Sequence, residues 1–525
     1  MGHLKSYQSN QHEEPMTFSA SSLSIIINRC GNVITLSRTD GMPFGQEFVN
    51  ALTKDLRYQH VEQVQGAAQR NPLTGQRQYF KTTEYKLFRH ENGKIVLLGG
   101  YLARIVSQLK KIGCRLAVQD TSPARKRPGC FEPKWENLEG RISFRPRQEE
   151  CLRTIARVPC GIIKAVTGFG KTTLIGAAAL LFPEAKIHVV TKSVDVAERI
   201  ARSLRRFIPR VGMVGDGNKQ WERVTVITAG SLAHSDGDAD FLFCDEVHQL
   251  ATINFSTSLA QRYRHSKNFG LSATPYARMD NAHAVLEPLF GPMIFELTYP
   301  QAVELGLVVP IRVKWLPIRM TFNPVERYSN RVAKKRYGVW TNIERNRMIA
   351  AAVKEYPEDH QILILVETIE HAVNLGALLP DFTMVYGSMF PSDCAKYKAR
   401  NLLPKEYKPL TDYDKHKLRG QFEAGELKRV IATDVWSTGV DFEQLNVLVR
   451  ADDRDSDIVD VQGPGRVSRL YVSPDGVKKE FGEVVDCMDT WDTTFYRKSM
   501  GRRNSYKLLG WEQNWNDAQR SWRDE

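Results

Sequence analysis

The sequence predicts an α/β fold: two parallel-sheet domains in tandem, preceded by a small α+β module. Three observations carry this expectation. From about residue 139, short apolar runs alternate with longer amphipathic stretches, the pattern of strands covered on both faces by crossover helices. The series starts afresh after a connection near residues 299–312. Residues 20–138 read differently, as alternating β-like segments, a hairpin signal and one helix. A chain of 525 residues is too long for one core and is expected to divide into about three or four domains.

Taken in order, residues 1–19 are polar and are expected to be a disordered leader, with Met16 a candidate natural start. In the module over 20–138, residues 23–27 and 32–36 are β-like. Residues 83–89 and 94–98 flank Asn92-Gly93, the favoured two-residue hairpin turn. Residues 101–112 place Leu102, Ile105, Val106, Leu109 and Ile112 on one helical face. Residues 121–133 form a basic, Pro-rich linker; Arg125-Lys126-Arg127 fits a solvated connection or a strap that contacts phosphates. The first α/β domain covers 139–298, with strands at 162–166, 186–191, 223–228, 240–244 and 268–272. After the linker at 299–312, the second covers 313–490, with strands at 361–367, 382–386, 429–433 and 446–450. Within it, 392–418 reads as an insertion or mobile loop. A helical extension closes the chain at 491–525, where Trp491, Tyr496, Tyr506, Trp511, Trp515 and Trp522 lie among basic residues. Those rings suit either base stacking or pinning a terminal helix to its domain.

Composition narrows the class. With 42% hydrophobic and 25% charged residues the chain is an ordinary globular protein, and no apolar run approaches the ~18 residues of a membrane span. The eight cysteines form no C-x-x-C pair and no Cys/His cluster, which argues against a disulfide framework or zinc site and for a reducing, cytoplasmic setting. The net charge of +13 favours a polyanionic partner. Residues 1–140 alone carry 19 Lys/Arg against 12 Asp/Glu.

Chemistry concentrates first at Thr167-Gly-Phe-Gly-Lys-Thr-Thr173, between an apolar strand and a helical pattern. Glycines let backbone N–H groups turn inward at a helix N-terminus, where free donors and the dipole favour phosphate; Lys171 and Thr172 would reach the terminal phosphates and a Mg²⁺. About 75 residues on, Asp240-Phe-Leu-Phe-Cys-Asp-Glu-Val-His248 is a strand that ends in adjacent carboxylates. Strand ends of parallel sheets open at the ligand edge, so Asp245 and Glu246 should face the loop, Asp245 toward Mg²⁺ and Glu246 toward the attacking water.

Asp245-Glu-Val-His248 resembles the DExH box of superfamily-two helicases, and further motifs of that superfamily follow in order. Arg145-Pro-Arg-Gln148 resembles the motif that reads adenine, Thr228-Ala-Gly-Ser-Leu232 one that touches the nucleic-acid backbone, and Ser272-Ala-Thr274 the one that couples the ATP site to the track. In the second domain, 362–375 resembles the motif at its first strand and Ala432-Thr-Asp-Val-Trp-Ser-Thr-Gly-Val-Asp441 the motif linking both sites. Gln462-Gly-Pro-Gly-Arg-Val-Ser-Arg469 is similar to the family's Q-x-x-G-R-x-x-R. Within the superfamily the chain most resembles the phage UvsW-like branch-migration group, with the XPB and RecG duplex translocases more distant. Asn71-Pro72, the hairpin, Gly99-Gly100-Tyr101, Asn342 with Arg345-Asn346, and 486–511 extend this resemblance over nearly the whole chain.

The resemblance implies two RecA-like domains and an ATP- and Mg²⁺-dependent motor. Gln148, Thr167 to Thr173, Gly439 and Asp441 would bind ATP; Lys171, Asp245, Glu246, Arg466 and Arg469 would carry catalysis, the two arginines as a finger from the second domain. His248, Ser272, Thr274 and Gln462 would couple the sites, Thr172 and Asp245 would hold the metal, and Thr191, Lys192, Ser231 and Thr433 would touch nucleic acid. Three departures are visible: Ala165 stands for the first glycine of the phosphate loop, Val190-Thr-Lys-Ser193 lacks the common proline, and Pro464 interrupts the arginine motif. The expected partner is branched or forked duplex DNA, with RNA compatible, no membrane, and a monomeric motor. The rival readings are an RNA helicase, the motor of a restriction or defence complex, and a DNA-binding protein switched by ATP without motor activity.

Overall fold

The computed structural model describes residues 23–63, 69–70, 77–78, 80–123, 130–275, 282–436, 442–454 and 463–515. The leader, Met16, Asn71-Pro72, Arg125 to Arg127, Gly439, Asp441, Gln462 and Trp522 lie outside them.

The N-terminal module is a five-stranded sheet in the order Phe88–Glu91, Lys94–Leu98, Val33–Arg38, Ser24–Cys30, Arg115–Asp120. Asn92 (φ 50°) and Gly93 (φ 72°) are both left-handed, so the turn pairs Glu91 with Lys94 as its sequence predicts. The helix Leu102–Lys111 buries Ile105 and Leu109 on this sheet, against Ile25, Ile27, Ile34 and Leu36.

The first motor sheet has eight strands, ordered Asn218–Gln220, Gly212–Gly215, Val224–Thr228, Ile187–Thr191, Phe241–Asp245, Lys267–Ser272, Cys160–Ala165, Met293–Leu297. Only the outermost pair, Gly212–Gly215 with Asn218–Gln220, is antiparallel among them. Successive side chains alternate between two cores: Ile163, Val189 and Phe243 pack with the helix Lys171–Leu181 on one face, while Ile162, Val190 and Leu242 pack on the other. That double burial explains continuous apolar runs. The second sheet is parallel throughout, ordered Thr383–Val385, Arg429–Ala432, Ile362–Leu365, Val447–Arg450, Gly482–Asp489, Ile311–Ile318, Glu512–Gln513.

Three segments differ from the sequence expectation. The linker at 299–312 contains the helix Tyr299–Glu304 and the start of the strand Ile311–Ile318, which pairs along its length with Gly482–Asp489. Residues 392–418 are two helices, Pro391–Ala399 and the opening of Asp412–Glu423; Cys394, Tyr397 and Leu403 bury with Val373 and Tyr386 in a small core, so this segment is built in. The C-terminal aromatics belong to the second domain: Tyr506, Trp511 and Trp515 are buried beside Trp315, and Glu512–Gln513 adds an edge strand to the sheet.

The module is keyed onto the first motor domain through backbone. Asn32 N–H donates to the Arg264 carbonyl (2.5 Å), and its side-chain amide donates to the Tyr263 and Ser266 carbonyls. A Cβ on Gly100 would stand 2.0 Å from the Glu287 carbonyl oxygen, so only glycine admits this approach. Arg104 closes the seam with a two-pronged pair to Glu287 at 2.7 and 2.5 Å.

Candidate active site between the two sheets

In the first sheet Lys164 lies beside Ser272, Leu271 beside Asp245, and Cys244 beside Val190. The loops that follow these parallel strands therefore emerge together on one edge, which brings 167–173, 245–248 and 272–274 within reach of one another.

The phosphate loop is held from below and from the side. Gly168 (φ 102°) and Gly170 (φ 89°) turn the backbone through left-handed conformations ahead of the helix Lys171–Leu181. Phe169 points into the core and stacks on Phe295 (centroids 5.5 Å apart), a burial that stabilises the loop by about 1.5–3 kcal/mol. Arg145 donates to the Gly168 carbonyl (2.8 Å) and Gln148 Nε2 to the Phe169 carbonyl (2.5 Å), while Gln148 Oε1 accepts from Arg145 N–H. Gln148, expected to read adenine, is thus bonded at both ends of its amide and braces the loop.

Lys171 Nζ lies 3.2 Å from Glu246 Oε1. Glu246 has φ 46°, a strained conformation for a side chain with a Cβ, which aims its carboxylate back toward the loop. Its other oxygen is 3.5 Å from His248 Nδ1, which shares a 2.7 Å hydrogen bond with Ser272 Oγ, and Ser272 Oγ accepts from Thr274 N–H at 2.9 Å. His248 and Ser272 are fully buried. A continuous polar line thus joins the Glu246 carboxylate to the loop at 272–274 through the three residues expected to couple the sites.

Burial, with the Glu246 carboxylate adding to it, pushes the Asp245 carboxyl up to about 6 against the pull of Lys171 and Arg199. Its Oδ1 is sealed from solvent and has no hydrogen-bond partner among the described residues. An enclosed carboxylate oxygen without a donor, next to a left-handed glycine loop and a threonine, fits a hydrated divalent cation with nucleoside phosphates.

The second domain supplies the far wall of a cleft of about 490 Å³. Thr167, Gly168, Lys171, Thr172, Thr173, Asp245 and Glu246 line one side, Arg466 and Arg469 the other. The Arg469 guanidinium rests against the loop: a Cβ on Gly168 would stand 2.6 Å from its Nη1. Arg466, buried, donates to the Trp436 carbonyl and so ties the arginine turn to the segment after strand Arg429–Ala432. The two arginines therefore differ in placement, Arg469 on the phosphate loop and Arg466 on its own domain. Thr191 and Lys192, expected on the nucleic-acid track, line this same cleft. Ser231 accepts from Thr228 Oγ1 (3.0 Å), and Thr433 N–H donates to the Val385 carbonyl (3.0 Å), at the strand edges of the first and second domains. The motif reading missed Arg199, Gln249 and Glu443, which also line the cleft. Arg199 lies on the helix Val194–Leu204, whose rotation about its axis no motif spacing reveals.

Residues 141–277 match the family described as "Type III restriction enzyme, res subunit". Among solved structures, "The crystal structure of T4 UvsW" is similar at 15% identity, covering 93% of this chain and 98% of that one with a TM-score of 0.41. "S. cerevisiae Dbp5 bound to RNA and ADP BeF3" is similar at 13% identity, covering 73% and 95% with a TM-score of 0.49. No curated protein matches. The family match covers the phosphate loop, the Asp245-Glu246 pair and Ser272 to Thr274, the residues that line one wall of the cleft or lead away from it, and the chain is similar over that stretch to this family.

Proposed function

We propose that the chain is an ATP- and Mg²⁺-dependent DNA translocase or helicase that remodels branched or forked duplex DNA. The observation that supports this best is the gathering of Lys171, Asp245, Glu246 and Arg469 around one cleft between two parallel sheets.

Magnesium-bound ATP would supply the phosphoanhydride bond whose cleavage drives the cycle. The chain's own residues divide the remaining work. Backbone N–H groups of 168–172 and Lys171 hold the phosphates. Lys171 then exchanges Glu246 for a phosphate oxygen, which frees the Glu246 carboxylate to orient a water and take its proton. Asp245 and Thr172 would hold the cation, and Arg469 would neutralise charge on the transferred group from the opposite domain. The line Glu246, His248, Ser272, Thr274 carries the change at the carboxylate to the strand edge where Ser231 and Thr433 would meet a nucleic-acid backbone. Cleft closure and opening would move one domain along the strand.

The net charge of +13 and a basic module fixed to the first motor domain favour a nucleic-acid track, and the whole-chain resemblance to the branch-migration group favours DNA. Steady-state hydrolysis measured with single-stranded DNA, linear duplex, a four-way junction and RNA separates the readings. The junction is expected to stimulate most; stimulation by RNA alone refutes the DNA assignment. Lys171→Ala and Glu246→Gln should each abolish stimulated turnover, and retained turnover in either one removes the site assignment.

A further inference from the structure

The second motor domain carries a surface that the motif reading leaves unused. Between strand Ile311–Ile318 and helix Ile343–Lys354, residues 319–337 hold six Lys/Arg and one acidic residue, Glu326. Four large apolar side chains stand in solvent there: Phe322 is 67% exposed, Tyr328 37%, Val332 61% and Tyr337 41%. Tyr328 and Tyr337 stack on each other, centroids 4.7 Å apart and rings 15° from parallel.

Anchoring does not account for these rings, because other residues of the segment supply it. Val325 and Val339 are buried with Phe495, and a Cβ on Gly338 would come within 2.6 Å of Trp491. Asn330 caps the short helix Arg331–Lys335 by accepting from Val332 and Ala333 N–H. A π-turn, Arg336–Trp340, continues it and sets Tyr337 against Tyr328. Lys335 and Trp340 both donate to Glu367 (2.5 and 3.0 Å), and Arg336 to Glu370 (2.7 Å). The segment is therefore locked to the residues that follow strand Ile362–Leu365. Val366 N–H in turn donates to the Ala432 carbonyl, next to Thr433, so the strand that Glu367 and Glu370 follow is the neighbour of the one that ends at Thr433. Arg327 and Arg331, which neighbour the rings in sequence, are exposed and make no ion pair among the described residues; Lys334 is half-buried, and its charge acts on Asp492.

A stacked aromatic pair in a segment with six Lys/Arg to one carboxylate matches single-stranded nucleic acid in both of its chemistries, base face and phosphate. A protein partner would use the apolar rings but leave the surplus of positive charge without complement. Resting on the reading of the chain as a nucleic-acid motor, we propose that Tyr328 and Tyr337 form a stacking platform for an unpaired base, with Arg327, Arg331 and Lys334 holding the flanking phosphates.

The test uses the full chain and a fluorescein-labelled dT oligonucleotide of about 20 nucleotides, long enough to cover an extended binding groove. Fluorescence anisotropy and ATP hydrolysis stimulated by the oligonucleotide are read together. Tyr328→Ala with Tyr337→Ala should weaken binding about 5- to 100-fold, raise the oligonucleotide concentration for half-maximal stimulation by a similar factor, and leave hydrolysis without nucleic acid unchanged. Tyr328→Phe with Tyr337→Phe keeps the rings and should bind as the unaltered chain does. Arg331→Glu with Lys334→Glu should lower the slope of log affinity against log salt by about 0.7 for each phosphate these two cations neutralise. Unchanged affinity in both the alanine and the glutamate variants overturns the proposal and gives the surface to a protein partner. An unaltered chain that binds no nucleic acid overturns the motor reading and this platform with it, a result distinct from the first.

Discussion

On the proposed reading, Asp245 has two duties that conflict. Its carboxyl must be ionised to hold a cation, yet burial and the adjacent Glu246 push it up to about 6 in the folded chain, above its ordinary value of 3.8. A carboxyl raised on folding binds more protons in the native state than in the unfolded one, so the protein should lose stability as pH climbs from about 4 through about 6. Urea unfolding at intervals across that window should show the loss in the unaltered chain, and Asp245→Asn should flatten it while abolishing hydrolysis. Equal pH dependence in the two proteins rejects this account. The identity of Asp245 was legible, because two carboxylates closing an apolar strand is a local pattern. The contact of Arg469 with Gly168 was legible only as a role: the residues are some 300 positions apart, and nothing in the spacing of either motif says which arginine reaches the loop and which stays with Trp436.

Strands buried on both faces announce themselves as apolar runs, and the nine read from the sequence in the two motor domains are present within about two residues, whereas 83–89 in the module divides between the strands Phe80–Lys86 and Phe88–Glu91. Those missed break that rule for physical reasons. Ile311–Ile318 alternates Arg312 and Lys314 with buried Val313 and Trp315 and contains Pro317. Gly482–Asp489 hides two carboxylates: Asp486 pairs with Arg502 and Tyr506, Asp489 with Arg345, all fully buried. Arg345 also donates to the Ala451 carbonyl, and Arg450 to Tyr506, so these charges bolt the helices Ile343–Lys354 and Thr493–Leu508 to the central strands. Removing one member strands its partner. Asp489→Ala should cost about 3–5 kcal/mol in denaturant unfolding, whereas Arg345→Met with Asp489→Leu should cost far less. If the single and double variants are equally unstable, the carboxylate matters for something other than its pairing.

At the scale of the whole molecule, the sequence divides correctly into a module and two sheets, but how the module sits was not readable. Its seam joins peptide groups that meet at Gly100 with the Asn32 amide and the Arg104–Glu287 pair, partners far apart in sequence that no local pattern links. Gly100→Ala tests the seam, since its Cβ would collide with the Glu287 carbonyl while leaving the module's own core of Ile25, Ile34 and Ile105 intact. Scanning calorimetry should resolve a separate, lower-melting transition for the module in that variant; one unsplit transition at the original temperature argues against a rigid seam.

That seam bears on how force is carried. A module hung on a flexible tether would absorb each stroke, as a loose mooring absorbs a tug. Bolted through Asn32 and Gly100, it would follow the first sheet in any such stroke, while the second domain meets that sheet's phosphate loop where Arg469 lies against Gly168. On the proposed motor reading, the module and the first sheet would move as one body against the second domain.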